Sequence, residues 1–299
     1  MSQVLNYIKL LRVHQWLKNL FVFAPLFFAF RLSDIDAIVN LIFAFLGFSF
    51  VASSIYIIND WCDIEADRLH PQKKNRPLAA GSVNKTEATV LLIVLILSSF
   101  SIFYFVFYDF ATLVLVIGYF LLNLAYSLKL KQYAIVDVSI VAVGFVIRLF
   151  VGGFVANVHL SYWIIILTFL LALLLVLGKR LNDVTILAET GQQMRKSISG
   201  YNAEFLNAII VIDVAVIIIS YIMYTISPEV VARNGEYLYL TSLFVILGLF
   251  RYLQVLYVKK KGDSPTKLVL SDRFLQIDIL LWGLSFILLY LYDHGFKVN

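Results

Sequence analysis

Nine apolar runs constrain this chain more than any motif in it, because each is close to the ~20 residues that carry a helix across roughly 30 Å of hydrocarbon. They cover residues 16–30 (with a polar, helix-prone lead-in), 37–58, 87–108, 110–127, 135–157, 160–178, 204–227, 237–257 and 273–292. In lipid every backbone polar group must be satisfied within the protein, and runs of this length do so as α-helices. Composition agrees. Of 299 residues, 61% are hydrophobic and 14% charged, against about 45–50% and about 25% in soluble domains. A globule of this size cannot hide that much apolar side chain, so the excess faces lipid. A soluble enzyme, a nucleic-acid-binding protein and a disordered linker are excluded. The expected fold is all-α and polytopic, with residues 1–299 forming a single integral-membrane domain. The one cysteine, Cys62, excludes a disulfide framework and a Cys-based metal site. No cleavable signal peptide is expected, since the first run contains Lys18 and Asn19 and leads to Pro25 rather than a small-residue cleavage site.

With nine spans, the N-terminus and the loops after spans two, four, six and eight share one side of the membrane. That side carries nineteen of the 24 Lys and Arg; the other has Arg31, Arg233 and Lys297, while Arg148 and Arg251 lie within spans. Cations collect on the cytoplasmic side. The reading therefore places the N-terminus and the long loops in the cytoplasm of a cell membrane and the C-terminus outside. The two long loops, residues 59–86 and 179–203, follow spans two and six. Long polar loops on one face commonly carry function, and their spacing four helices apart suggests a duplicated four-helix unit. Lys259-Lys260-Lys261 reads as a surface anchor for anionic lipid. His14 and His159 are isolated.

The most informative stretch is Asn59-Asp60-Trp61-Cys62-Asp63-Ile64-Glu65-Ala66-Asp67. Asn59, Asp63 and Asp67 recur at i, i+4 and i+8, one stripe of a helix, with Asp60 beside it. Like charges at this spacing repel, so something positive must neutralise them. Oxygen ligands of this kind suit Mg²⁺, which takes one or two carboxylates and completes its shell with water and substrate phosphates. Lys73, Lys74 and Arg76 follow within a few residues, as a magnesium–diphosphate site would require. An acidic cap followed by positive-inside lysines is the plainer alternative, but an ordinary cap does not put four acidic or amide groups on one face. Tyr56, three residues before Asn59, points to a substrate oxygen or is an interfacial aromatic. Arg148 stands in mid-span, where a cation is costly and normally faces a cavity with a partner.

With Arg76-Pro77-Leu78 and Gly81 after it, this motif at the end of the second span resembles the UbiA superfamily of intramembrane prenyltransferases, over essentially the whole chain. The resemblance implies a helical bundle around a central cavity open to the cytoplasm and sideways to lipid. It also implies Asp60, Asp63 and Asp67 as catalytic carboxylates and Asn59, Asp63 and Asp67 as Mg²⁺ ligands. Most members carry a second aspartate-rich motif after span six. Here the place reads Gly178-Lys179-Arg180-Leu181-Asn182-Asp183, so Asp183 is the one carboxylate of the first turn and Glu189 lies further on. Further segments are Tyr126-Ser127-Leu128-Lys129-Leu130-Lys131 followed by Asp137 and Arg148, Ser271-Asp272-Arg273, and Gln15-Trp16-Leu17-Lys18-Asn19. Together they look like the decaprenyl-phosphate phosphoribosyltransferase-like branch, which typically has Glu where Asp183 stands.

That branch implies phosphoribosyl pyrophosphate and a polyprenyl phosphate as substrates. Charge arithmetic points the same way: a diphosphate, a 5-phosphate and a lipid phosphate need more cations and fewer carboxylates than one allylic diphosphate does. Lys18, Lys73, Lys74, Arg76, Lys129, Lys131, Arg148, Lys179, Arg180 and Arg195 are the candidates to hold them, with Tyr56 and Tyr126. Lys129 and Lys131 are equally well read as positive-inside residues. Asp183 is a candidate to orient a ribose hydroxyl or a second magnesium. Prenylation of an aromatic acceptor by an allylic diphosphate is the alternative chemistry, and a lipid flippase or transporter the alternative class. Membrane lipids and a second copy of the chain are candidate partners; nucleic acid is not.

Overall fold

The computed structural model describes residues 3–69, 73–191, 196–258, 268 and 271–295. Among these, eight helices are long and apolar enough to cross a membrane, and no strand occurs. In chain order the α-helices are α1 (Gln3–Leu11), α2 (Ala24–Phe28), α3 (Ile35–Cys62), α4 (Ile64–Leu69), α5 (Lys85–Ser101) and α6 (Phe110–Leu128). They continue with α7 (Val136–Val155), α8 (Tyr162–Thr190), α9 (Ala203–Thr225), α10 (Pro228–Asn234), α11 (Ser242–Tyr257) and α12 (Arg273–Gly295). A π-helical turn over Ile102–Val106 extends α5.

Eight such helices among the described residues stand close to the nine expected spans, and the difference lies in the form of the first. Residues 16–30 do not form one α-helix: Val13–Phe23 is a 3₁₀ segment, followed by the short α2 with Pro25 in its first turn. The reason lies in register. Three residues of 3₁₀ helix rise about 6 Å, as do four of α-helix, so two such helices can pair row for row. Trp16 Nε1 donates to Ser53 Oγ at 3.0 Å and Asn19 Nδ2 to Ser49 Oγ at 2.9 Å. Steps of three on the first segment thus match steps of four on α3. Val22, next in the row, is fully buried. At Gly152 the α7 backbone meets this segment so closely that an added Cβ would lie 1.9 Å from the Val22 carbonyl oxygen.

The chain forms two compact units, Met1–Gln132 with Val143–Leu160, and Tyr133–Ala142 with Ser161–Asn299. The membrane-length helices are α3, α5, α6 and most of α7 in the first, and α8, α9, α11 and α12 in the second. In the first unit, Leu41, Ala44, Phe48, Val51 and Ile55 of α3 form a buried row against Val116, Tyr119 and Val151. Caps fix where its helices begin. Asp34 accepts from Ala37 N, Asn84 and Glu87 form a reciprocal capping box, and Asp109 accepts from Ala111 N and Thr112 N.

The second unit's core joins Leu174, Leu177 and Leu181 of α8 to Leu206, Ile210, Val214 and Ile217 of α9 and to Leu249, Tyr252 and Leu256 of α11. The spacing is that of one helical face. Asn202 caps α9 by accepting from Phe205 N at 2.7 Å.

Candidate functional site

The carboxylate motif straddles the end of α3. Asp63 interrupts the helix between α3 and α4, yet the i→i+4 bonds run through it: Asp63 N donates to Asn59 O at 3.1 Å and Asp67 N to Asp63 O at 2.8 Å. The expected single stripe of Asn59, Asp63 and Asp67 divides into two pairs. At 3.6 residues per turn Asp67 falls only about 20° round the axis from Asp60, and Asp63 about 40° from Asn59. Each pair has its own cation.

Asn59 and Asp63 meet Lys131, whose Nζ donates to Asn59 Oδ1 at 3.2 Å and to the two Asp63 oxygens at 3.0 and 2.9 Å. Asp60 and Asp67 are both buried and share Arg76, whose Nη1 lies 3.1 Å from Asp60 Oδ1 and 2.6 Å from Asp67 Oδ2. Asp60 Oδ1 also accepts from Arg12 Nη2 at 2.5 Å. Arg12, between α1 and the 3₁₀ segment, holds a left-handed backbone with φ 50 and stacks its guanidinium 4.9 Å from the centre of the Tyr56 ring. A non-glycine residue in that region costs of order 1–3 kcal/mol. Arg12 belongs to this cluster, and sequence spacing gave no sign of it.

The Asn59–Asp63 pair fits a hard divalent cation: amide and carboxylate oxygens already converge on one positive centre, and Asp63 is about one third exposed. Among the described residues no three His, Cys, Asp or Glu side chains form a metal-holding group. Such a cation would depend on water and ligand oxygens for the rest of its shell. Asp60 and Asp67, each already paired with arginine, are less suited to ligate it.

In the same unit, Arg148 of α7 is buried. Its Nε donates to Asn19 Oδ1 at 2.8 Å, Nη1 to Gly144 O at 2.7 Å and Nη2 to Tyr119 Oη at 2.9 Å. The rings of Phe48, Tyr119 and Phe145 surround its Cζ at 4.8, 5.0 and 5.2 Å. The expected partner is therefore a set of neutral acceptors and aromatic faces. Lys18 lies half-buried on the 3₁₀ segment beside Asn19, and Tyr126 half-buried near the end of α6. Lys73 and Lys74 form a short 3₁₀ turn with Asn75; Lys74 and Lys129 are exposed.

A second cluster lies in the other unit. Asp137, in the first turn of α7, is fully buried and accepts three bonds: from Arg180 Nε at 2.7 Å, Ser197 Oγ at 3.0 Å and Tyr201 Oη at 2.7 Å. Arg180 also donates through Nη1 to Asp183 Oδ2 at 3.1 Å. Tyr201 Oη accepts from Ile135 N at 2.6 Å, and Ile135 is a β-branched residue at φ 67, a rare conformation. Burial pushes the Tyr201 phenol up, so it stays a donor. Arg180, expected as a phosphate ligand, thus lies between two carboxylates. Lys179 is half-buried beside it, and Arg195 lies outside the described residues. Asp137 is part of this cluster; the sequence marks it only as following the Tyr126–Lys131 segment.

Membrane-length helices with a carboxylate and cation cluster at a helix end define an integral membrane protein with a polar site. The chain belongs to the UbiA prenyltransferase family, whose model matches residues 20–277. It is 32% identical over 288 residues to the decaprenyl-phosphate phosphoribosyltransferase of Mycolicibacterium smegmatis, covering 92% of this chain and 89% of that one. With the Corynebacterium glutamicum protein of the same name it shares 32% identity, covering 92% of this chain and 83% of that one. Its fold is also that of a UbiA homologue from Archaeoglobus fulgidus solved with geranyl diphosphate and Mg²⁺. The TM-score is 0.71 at 19% identity, covering 94% of this chain and 99% of that one.

Proposed function

We propose that this protein transfers a 5-phosphoribosyl group from phosphoribosyl pyrophosphate to a polyprenyl phosphate of decaprenyl type, releasing pyrophosphate, in the synthesis of cell-envelope glycan precursors. What carries the reading is 32% identity, across nine-tenths of the chain, to two enzymes named for that transfer. The geometry supports it: the motif's carboxylates have cations among them, in keeping with substrates that bring several phosphates.

In this reading Asn59 and Asp63 hold magnesium, with Asp60 and Asp67 setting the field through Arg12 and Arg76. Bound there, the metal supplies charge neutralisation for the departing diphosphate. Lys131 follows the charge as pyrophosphate leaves ribose C1, where an oxocarbenium-like centre develops. Lys18, Lys73, Lys74, Lys129 and Lys179 bind the remaining phosphates, and Tyr56 and Tyr126 offer hydroxyls. The acceptor arrives as a phosphate anion, so no strong general base is needed. Catalysis is positioning plus electrostatic stabilisation. Asp183 orients a ribose hydroxyl. The two long loops face the cytoplasm of a cell membrane, where cations collect.

The test is to incubate the purified protein in lipid with labelled phosphoribosyl pyrophosphate, a polyprenyl phosphate and Mg²⁺. Label is expected in the organic-extractable lipid. No labelled lipid, or a product from geranyl or farnesyl diphosphate with 4-hydroxybenzoate, overturns the assignment.

A further inference from the structure

The second cluster carries an inference that rests on the transfer reading but goes beyond it. Arg180 and Asp183 are three residues apart on α8, and a surface pair at that spacing is weak and samples several geometries. Here the pair is held from outside. Asp137 takes the Nε edge of the guanidinium at 2.7 Å, leaving Nη1 aimed at Asp183 Oδ2. Asp137 is itself fixed by Ser197 and by Tyr201, and Tyr201 is anchored on the amide of strained Ile135. Where Gly200 passes Ala134 an added Cβ would approach the alanine Cβ to 2.6 Å, so the Lys196–Gly200 turn sits tightly on the start of α7. Asp137, Arg180 and Ser197 expose 0%, 2% and 1% of their surfaces. A cation so enclosed is arranged to orient a neighbouring group.

We propose that Asp137 is a positioning residue: it sets Arg180, and Arg180 sets the Asp183 carboxylate, so that Arg180 acts through Asp183 rather than on a substrate phosphate. Supporting groups of this kind lock a reacting side chain in its productive geometry. A positioning role predicts a loss in kcat, whereas a phosphate ligand predicts a loss in donor binding.

The experiment measures kcat and KM for phosphoribosyl pyrophosphate, with the thermal midpoint, in wild type, Asp137→Asn, Arg180→Lys and the double variant. Lysine keeps the charge but cannot span both carboxylates. Each single variant should lower kcat about tenfold or more with KM within about twofold, and the double should be no worse than the poorer single. A tenfold rise in KM with kcat kept, or losses that multiply, overturns the proposal in favour of direct phosphate contact. If Asp137→Asn does not fold, Ser197→Ala removes one bond to Asp137 and leaves every charge in place; a several-fold fall in kcat alone is expected, and unchanged kinetics overturn it. If wild type proves to use an allylic donor, the transfer reading has failed, and the same kcat–KM separation measured with that donor still decides the positioning role.

Discussion

Lys131 Nζ lies 2.9 Å from Oδ2 of Asp63, bridging residues 68 apart in sequence and occupying the position of a positive charge between Asp63 and Asn59. The ammonium and a divalent cation want the same oxygens. In the proposed transfer Asn59 and Asp63 would hold the magnesium in exchange for Lys131, whose ammonium would then serve the departing diphosphate.

That exchange yields the first prediction. Lys131→Ala should still bind Mg²⁺ but lose transition-state stabilisation of roughly 2–3 kcal/mol, about two orders of magnitude in rate. Single-turnover assays at saturating donor check this. A rate within twofold of wild type would leave Lys131 no part in the transfer.

The division of the motif into pairs yields the second. Asp63→Ala should abolish turnover with little change in thermal midpoint, because Asp63 is partly exposed and paired with a flexible lysine. Asp67→Ala should cost stability as well, about 1–3 kcal/mol, because it leaves Arg76 with one buried partner instead of two. Wild-type activity should vanish in EDTA and return with Mg²⁺. Full turnover by Asp63→Ala would remove the metal from this pair.

Most of the fold was legible because membrane-length helices need only length and apolarity. Over the first run a 3₁₀ segment carries the same composition as an α-helix, so the sequence does not tell the two apart. Its form is set by pairing with Ser49 and Ser53 of α3, which no local pattern encodes. The acidic motif is legible as a cluster of oxygen ligands, whereas the pairing of Asp60 with Asp67 at i, i+7 shows only through their shared Arg76. Arg12's place beside Asp60 rests on a contact across 48 residues of sequence, and Asp137, legible only as part of a family-like segment, meets Arg180 across 43.

The third prediction concerns sidedness. In the proposed orientation the loop after α3, with Lys73, Lys74 and Arg76, lies on the cytoplasmic side, where cations collect. A cysteine at Asn84, the exposed cap of α5, in a background with Cys62→Ser, should react with a membrane-impermeant thiol reagent only in opened or inverted vesicles. Labelling in intact cells would reverse the orientation and put a cytoplasmic phosphoribosyl donor out of reach.

The last prediction turns on Arg148, a guanidinium in mid-helix held by an amide, a carbonyl and a phenol. Its fork geometry satisfies three acceptors at once, and three aromatic rings enclose the charge. A lysine would keep the charge yet reach one acceptor, leaving Asn19 or Tyr119 without its partner. Arg148→Lys should therefore destabilise the protein by about 2–4 kcal/mol, most of it the cost of buried unpaired polar groups. Asn19→Ala removes one acceptor only and should cost less, about 1–2 kcal/mol. Thermal unfolding in detergent measures both. If Arg148→Lys unfolds like wild type but fails to bind the lipid phosphate, the arginine serves the substrate and the neutral contacts merely hold it in reserve. If both variants lose stability in the expected order and the residual folded fraction binds normally, Arg148 is a clamp between α7, α6 and the 3₁₀ segment.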